Sequence, residues 1–421
     1  MWQKNGLMCA TVLAGMMTGQ LIAADYKPGE RVVVIADAKL MSGAKAVDYV
    51  WPGLTLTVLR DNGPSLTVSN GTPGNLDEKN VIAWGTGDNA GAAAIAAITE
   101  LVKAQPQDPR LLCGRADVWR RMQDFTNALK DCDEAIKLSG AAEFYGMRGS
   151  ILYEDSKFDE AVRSFNEAIQ RSKTNSRLYN NRGLARIRRW LSHNNAEDFG
   201  QILGDFSEAI RLDPQYANAY FNRGNAYLAN NQLNEAITDY SSAIARDSNH
   251  ASAYANRGLV RLVTSGGAPG SLDLAIDDLK SAVQEDPSRT TAYIAGRIAT
   301  RFRNDTINMP LFRDGLNKTA DSSWPNGFGS YINTDGPING NQVDEFITSL
   351  ESNGDYDRVT EVDFYIVLDA LVRNRTDPNV NTTAQTQARL VWLSTNNQSR
   401  KDFIETWLAK YINDHPQEFG L

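Results

Sequence analysis

The chain has 421 residues, enough for two or three domains, and its 42% hydrophobic and 22% charged residues are ordinary for a globular protein. The formal net charge is −8 and no run of Lys or Arg occurs, which argues against a nucleic-acid partner. The scattered histidines, together with Cys113 and Cys132, form neither a metal-ligand pattern nor a disulfide framework. The sequence therefore predicts no metal and no cofactor.

The N-terminus has the pattern of a secretory signal peptide. Lys4 precedes an uncharged, mostly apolar run from Gly6 to Ile22, and small residues follow as far as Ala24. The run is shorter than the roughly 20 residues that span a bilayer, and no other segment is long and apolar enough. We therefore expect cleavage of residues 1–24, no remaining transmembrane segment, and a bacterial protein exported to the periplasm, the cell envelope or the medium.

Residues 26–84 show the pattern of short β-strands. Arg31 to Ala36 is a β-branched run, Leu54 to Leu59 alternates in the period of a half-buried strand, and Leu66 to Val68 is a third candidate. Asn-Gly and Pro-Gly pairs between them are typical of tight turns. Such strands over about 60 residues predict a small barrel.

This segment resembles the SH3-like domains of exported bacterial proteins. The resemblance rests on the stretches Pro28–Val34, Pro52–Leu59 and Gly74–Val81. In that family a Trp commonly follows the Gly of the last stretch, and here Asn75 takes its place. The resemblance implies an SH3-like β-barrel at 26–84.

One residue pattern returns through the centre of the chain. In the unit that begins at Ala217, aromatic and small residues occupy positions 4, 8, 11, 20, 24 and 27, namely Tyr220, Gly224, Tyr227, Ala236, Tyr240 and Ala243. This spacing resembles the 34-residue tetratricopeptide repeat (TPR). The resemblance implies two antiparallel helices per unit, stacked into a solenoid because no unit buries its apolar face alone.

The pattern divides the central region into five units with a part-unit at each end. The units are 109–141, 142–175, 176–216, 217–250 and 251–289, preceded by a half-repeat helix at 90–106 and followed by a capping helix at 290–303. The third and fifth units have extra residues between their two helices, which we expect to form loops. The fold prediction is thus mainly α, a TPR solenoid between the SH3-like barrel and an unassigned helical region at 304–421.

An Asn-Arg-Gly triplet recurs at positions 6 to 8 of three units. It occupies 181–183, 222–224 and 256–258, and Arg148-Gly149 is a partial copy. Because a ligand rarely needs the same arginine at each repeat, we interpret these arginines as structural. Their stems would cover apolar surface while the guanidinium stays in water.

In the TPR family the inner, concave surface comes mainly from positions 2, 5, 9, 12 and 13 of each unit. The resemblance implies a groove that changes from charged in the first three units to amide and aliphatic in the last two. The candidate partner-binding residues are Arg110, Arg120, Arg121, Tyr153, Arg177, Asn180, Arg188, Asn218, Phe221 and Asn225. The fifth unit would add Ser252, Ala255, Leu259, Leu262 and Val263. An extended peptide with an acidic end and an apolar end would complement such a groove.

Residues 304–421 do not follow the repeat. Apolar periodicity predicts helices near 342–352, 357–374, 383–394 and 399–413, and the Gly/Asn/Pro/Ser-rich stretch 320–341 predicts a long loop. No nucleophile elbow or Walker loop occurs in the chain. The sequence therefore favours an exported, non-catalytic scaffold that binds a protein or peptide. Two alternatives stay open: an enzyme with its site in 304–421, and a cell-envelope adaptor that uses the SH3-like domain.

Overall fold

The computed structural model describes seven strands between residues 31 and 83, and residues 91–193, 199–265, 269–319, 364–368, 408–409 and 412–414. The signal peptide predicted at 1–24 and the loop predicted at 320–341 lie outside the described residues. The chain divides into two compact units, Met1–Ala185 and Arg186–Leu421, which are treated one at a time.

The first unit contains a seven-stranded antiparallel sheet. Its strands are β1 Arg31–Val34, β2 Ala38–Ser42, β3 Lys45–Val50, β4 Thr55–Asp61, β5 Ser65–Ser69, β6 Pro73–Asp77 and β7 Val81–Ala83. The strand order is β3-β2-β6-β5-β4-β1-β7, with β1 hydrogen-bonded between β4 and β7. Val32 and Val34 are both fully buried, as alternate residues on one face of a strand should be. The strands lie where β-structure was predicted, and the likeness to an SH3 barrel stays a prediction.

Helices make up the described remainder of both units. Those before the unit boundary are α1 Ala92–Ala104, α2 Pro109–Arg121, α3 Phe125–Leu138, α4 Ala142–Glu154 and α5 Phe158–Arg171. Helix α6, Ser176–His193, runs through the boundary. The second unit continues with α7 Phe199–Leu212, α8 Ala217–Ala229, α9 Leu233–Arg246, α10 Ala251–Thr264, α11 Pro269–Glu285, α12 Thr290–Arg303 and α13 Met309–Thr319.

The two helices of a hairpin are joined by a tight turn that uses a left-handed residue. Gln123, Ser156 and Asn231 have φ of 62°, 59° and 59°, and each occupies the same position of its repeat. A left-handed residue just past a helix end closes the last turn and redirects the chain. The second helix can therefore begin within a few residues and pack antiparallel on the first.

Small residues bring the two helices of a hairpin into close contact. A Cβ at Gly149 would lie 2.8 Å from the ring of Phe165, and one at Gly224 would lie 2.8 Å from the ring of Tyr240. In each hairpin the glycine of the first helix therefore makes room for the aromatic side chain of the second. This is the close approach that positions 8 and 24 of the repeat predict.

The recurring arginine at position 7 connects neighbouring hairpins. Arg223 donates through Nε and Nη2 to the two carboxylate oxygens of Asp239 at 2.7 and 2.8 Å, and through Nη1 to Ser207 Oγ of the preceding hairpin at 3.1 Å. Arg115 forms the same set with Asp131, at 2.8 Å twice, and with Thr99 at 3.1 Å.

Arg257 repeats the arrangement in the fifth hairpin. It binds Asp278 at 2.9 and 2.6 Å and Ser241 at 2.8 Å. The structural role predicted for these arginines is confirmed, but the guanidinium groups are not simply solvated. Arg115, Arg223 and Arg257 each lie in a part-buried ion pair with an aspartate, and we call this series of pairs the arginine ladder; at the same position Arg182 donates to the side chain of Asn166.

The two predicted insertions lengthen helices as well as loops. Among the first helices of the hairpins, α2, α4 and α8 have 13 residues each and α6 has 18. Among the second helices, α3, α5 and α9 have 14 residues each and α11 has 17. The extra residues of the third and fifth units therefore extend the hairpins in part. The expectation that they form loops alone is wrong.

Helix α12 does not end the series of hairpins. Helix α13 follows it after a turn at Asn304, which is left-handed with φ of 56°, and packs against it. A Cβ at Gly296 would lie 2.2 Å from the ring of Phe312, so this pair repeats the glycine-to-aromatic contact with the same separation along the chain. No helix was predicted at 304–319, and the capping helix proposed at 290–303 is instead the first half of a sixth hairpin.

Short helical segments occur at 364–368, 408–409 and 412–414. They lie within the helices predicted near 357–374 and 399–413, while those predicted near 342–352 and 383–394 lie outside the described residues. Within the part of the chain that the structure describes, no helix is both long and apolar enough to span a membrane.

Candidate functional site

The first helices of successive hairpins form the inner surface. Helix α2 contacts α4 in the first unit, and α10 contacts α12 in the second, in addition to the contacts within each hairpin. Residues at the inner positions of these helices therefore share a face, as the repeat predicts. We call these two faces the first inner face, on α2, α4 and the start of α6, and the second inner face, on α8, α10 and α12.

Arginines and acids alternate on the first inner face. Arg120 donates to Asp117 at 2.7 Å and also binds Glu154 of α4, while Arg121 donates to the other carboxylate oxygen of Asp117 at 2.9 Å. Glu154 and Arg121 are exposed, and Arg120 is half-buried. The structure thus brings two of the predicted arginines together around one carboxylate, at the surface of the first unit.

The side chain of Arg110 binds the N-cap residue of its own helix, α2. Its guanidinium donates to Asp108 at 2.8 and 3.1 Å, and Asp108 also caps α2 by accepting from the backbone N–H of Arg110. The hydrogen bond from the Arg110 side chain is the main reason that the pKa of Asp108 lies below its usual value. Arg110 is therefore engaged at the N-terminus of α2.

The remaining candidates of the first unit differ in exposure. Tyr153 is half-buried and meets Phe158 edge-on, with ring centroids 5.8 Å apart. Arg177 is exposed near the start of α6, whereas Asn180 is 3% exposed and donates to the side chain of Asn181 at 3.1 Å. Arg177 and Tyr153 thus reach the surface of this face, and Asn180 does not.

The amides of the second inner face bind neighbouring side chains. Asn225 Oδ1 accepts from Tyr240 Oη at 2.7 Å and from Asn256 Nδ2 at 3.0 Å. Burial of Tyr240 raises the pKa of its phenol far above the ordinary value, so the hydroxyl stays a donor. Asn225 was predicted to bind a partner, and in the structure its oxygen connects the fourth hairpin to the fifth.

His250, which was not among the predicted site residues, contacts both Asn218 and Phe221. His250 Nε2 lies 3.1 Å from Asn218 Oδ1, and its ring centroid lies 4.9 Å from that of Phe221. The Nδ1 atom accepts from the backbone N–H of Ala253 and so caps α10. The signal was present in the sequence, since His250 occupies the N-cap position of a unit, but His is not a usual capping residue. Arg188, the last candidate, is half-buried on α6.

The two cysteines are free thiols in different surroundings. Cys132 is buried in the core of the first hairpin, and Cys113 is half-buried on α2. Burial, with Asp117 and Glu143 nearby, raises the pKa of the Cys113 thiol to about 12. Among the described residues, no three His, Cys, Asp or Glu side chains are grouped so as to hold a metal ion.

Family models of the tetratricopeptide repeat match four parts of the chain. They cover residues 83–143, 142–175, 206–238 and 224–262. These matches lie on the hairpins described above and on the segment that leads into them. The chain therefore contains tetratricopeptide repeats, and its helical part is a TPR solenoid.

Curated relatives match only over the length of a few repeats. Serine/threonine-protein phosphatase T of Trypanosoma brucei brucei is 31% identical over 90 residues, 21% of this chain and 17% of that protein. Human serine/threonine-protein phosphatase 5 is 28% identical over 96 residues, 23% of this chain and 18% of that protein. Heat shock protein STI1 of Saccharomyces cerevisiae is 28% identical over 100 residues, 24% and 16% of the two chains. This chain thus spans less than a fifth of the length of these relatives.

Solved structures of TPR proteins are similar to part of the chain. YrrB, a TPR protein with an unusual peptide-binding site, is 21% identical, with 47% of this chain and 96% of that chain covered and a TM-score of 0.35. The C-terminal part of a TPR repeat-containing protein from Cytophaga hutchinsonii is 15% identical, with 56% and 92% covered and a TM-score of 0.41.

Proposed function

We propose that this protein is a non-catalytic scaffold that binds a peptide or protein partner on the first inner face. The observation that carries the proposal is the contrast between the two faces. Arg121 and Arg177 are exposed on the first face, and Tyr153 is half-exposed on it. The second face places its amides in internal hydrogen bonds, as at Asn225. A partner therefore meets available side chains on the first face.

The chemistry of that face favours an acidic, extended partner. The guanidinium of Arg120 already binds the exposed carboxylate of Glu154, so a carboxylate of a partner can replace Glu154 without leaving Arg120 unpaired. Arg177 adds a positive charge, and Tyr153 offers a flat apolar surface with few rotatable bonds. The face that we expected to bind the acidic end of a peptide keeps that role in the proposal. The apolar end of the predicted groove does not.

Crosslinking from Tyr153 tests this proposal. A photoreactive phenylalanine at Tyr153 in the full chain should capture a partner, which is identified and purified. The double variant Arg120→Glu with Arg177→Glu should then raise the dissociation constant of the partner at least about tenfold, because it reverses two charges on the binding face. The control variant Lys130→Glu with Lys137→Glu reverses two exposed charges on α3 and should leave the constant within about twofold. Equal effects of the two double variants would refute the assignment of the face.

We further propose that the protein is exported and associated with the bacterial cell envelope. Residues 1–24 support export by their signal-peptide pattern. The antiparallel sheet at 31–83 is compatible with the SH3-like resemblance, which favours an adaptor role for this segment. The mature N-terminus should begin at Asp25 when the protein is isolated from the periplasm or medium. A protein that stays in the cytoplasm with Met1 intact would exclude this proposal and leave the partner-binding proposal standing.

A further inference from the structure

Four of the five inner positions of α10 are buried. Ala255, Leu259, Leu262 and Val263 are all 8% exposed or less, although the repeat places them on the concave surface. The residue that matches Leu262 in the second hairpin is Tyr153, which is half-buried. Something therefore covers α10 on the second inner face that does not cover the first face.

Helix α12 is enclosed on all sides. Every residue from 292 to 300 is buried, including Ile294 and Ile298 at inner positions. Helices α10, α11 and α13 contact it. A terminal solenoid helix normally keeps one polar face in water, whereas a helix buried all round has a cover on that face too.

The C-terminal part of the same chain contributes side chains to this core. The core cluster that contains Leu259, Leu262 and Ile298 also contains seven buried side chains from distant sequence, namely Phe364, Tyr365, Val367, Leu368, Leu408, Ala409 and Ile412. Asn231, in the turn between α8 and α9, donates to Asp414 at 3.4 Å. The C-terminal segments 364–368, 408–409 and 412–414 thus share one apolar core with the hairpins of the second unit.

The covering segments have the pattern of a helical ligand. Leu408 and Ile412 each lie in a helical segment, their spacing of four residues is that of one side of a helix, and Asp414 is exposed. An amphipathic helix that lays its apolar side in a hydrophobic groove is a common mode of peptide recognition. The internal cover and an external helical peptide would use the same surface.

We propose that segments 364–368, 408–409 and 412–414 are an internal ligand of α10 and α12 on the second inner face, which keeps these helices closed to outside partners. An external amphipathic helix reaches α10 and α12 only when these segments leave. This proposal is independent of the binding proposed for the first inner face. It predicts that the two faces respond differently when the C-terminal segments are disturbed.

Thiol labelling in the full chain tests the proposal. In a chain with Cys9→Ser, Cys113→Ala and Cys132→Ala, we compare maleimide labelling of Leu262→Cys with that of Tyr153→Cys, which occupies the same repeat position. Leu262→Cys should react at least about 100-fold more slowly, since it needs a local opening.

The added pair Leu408→Asp and Ile412→Asp should remove most of that protection. Val260→Cys, buried between helices and not on the inner face, serves as the control for the integrity of the hairpin. It should stay protected in the same background.

Three results would overturn the proposal. Leu262→Cys could label as fast as Tyr153→Cys in the undisturbed chain, or stay protected after the Leu408 and Ile412 substitutions. Joint exposure of Leu262→Cys and Val260→Cys would show that the C-terminal segments are part of the hairpin fold and not a separable ligand. The Tyr153 crosslinking experiment tests the first inner face alone, so its failure would not affect how the thiol-labelling results are interpreted.

Discussion

Replacing Arg223 with methionine should lower the free energy of unfolding by about 3–5 kcal/mol, the usual cost of leaving one member of a buried ion pair alone. Asp239 is 4% exposed and receives both of its charged hydrogen bonds from Arg223, at 2.7 and 2.8 Å. The same substitution removes the bond from Arg223 to Ser207, which adds about 1 kcal/mol. The loss therefore affects both the fourth hairpin and its contact with the third.

Urea denaturation followed by far-UV circular dichroism measures this loss. The double variant Arg223→Met with Asp239→Leu should recover most of the stability, because an apolar pair of similar volume replaces a buried ion pair at little cost. Lys103→Met is the matched surface control, since Lys103 and Glu100 form a 2.7 Å pair with both side chains more than half exposed. That variant should lose less than about 1 kcal/mol. Equal losses for Arg223→Met and Lys103→Met would refute the idea that the arginine ladder stabilises the stack.

Three further predictions concern packing, pH and thiol chemistry. Gly224→Ala should destabilise the protein by about 1–3 kcal/mol in the same assay, because its Cβ would meet the Tyr240 ring at 2.8 Å. Gly204→Ala, with nothing within 4 Å, should be neutral or stabilising. Burial lowers the pKa of His250, with Asp247 raising it and Arg289 lowering it, so the unfolding free energy should fall as pH drops below the ordinary value of about 6.5. With its pKa near 12, the Cys113 thiol should react with Ellman's reagent on the order of 1,000-fold more slowly in folded than in unfolded protein at pH 8.

Each of these predictions has an outcome that contradicts it. Equal stability of the Gly224→Ala and Gly204→Ala variants would mean that the helices do not approach as closely as described. The sign of the pH effect follows from the neutral ring, whose Nδ1 accepts the capping bond from Ala253 and would lose it on protonation. His250→Asn keeps a capping side chain but cannot titrate, so an unchanged pH dependence in this variant would exclude His250 as the cause. Rapid thiol reaction in the folded protein would show that Cys113 is open to solvent.

The repeat pattern predicted much of the fold because the residues at its recurring positions contact each other within one hairpin. Gly224 and Tyr240 meet within one hairpin, so their spacing alone identifies the contact. The second helix of the sixth hairpin was not predicted, because Gly296 and Phe312 are shifted by one position from the frame that Tyr293 continues. The two residues keep the spacing of the other glycine–aromatic pairs. A search for that spacing alone finds them.

The candidate site was harder to predict, since exposure depends on residues far away in sequence. The frame placed Leu262 on the inner face, but Leu262 is buried in a core that it shares with residues 364–368, 408–409 and 412, more than a hundred residues later. Asn225 was predicted to bind a partner because the repeat frame does not show its hydrogen-bond partners. Tyr240 lies in the other helix of the hairpin, and Asn256 lies in the next unit. A single repeat pattern indicates which side a residue occupies and not what lies against it.

In the fifth hairpin the arginine–aspartate pair keeps its geometry although more residues separate its two members. Arg257 and Asp278 are farther apart in sequence than Arg223 and Asp239, yet they form the same two-point pair. Helix α11 has three residues more than the second helices α3, α5 and α9, and Arg257 still donates to Ser241 of the previous hairpin as Arg223 does to Ser207. A hairpin can therefore take up added residues between its two members of the pair, which makes this part of the repeat a natural place to graft an epitope or a fluorophore.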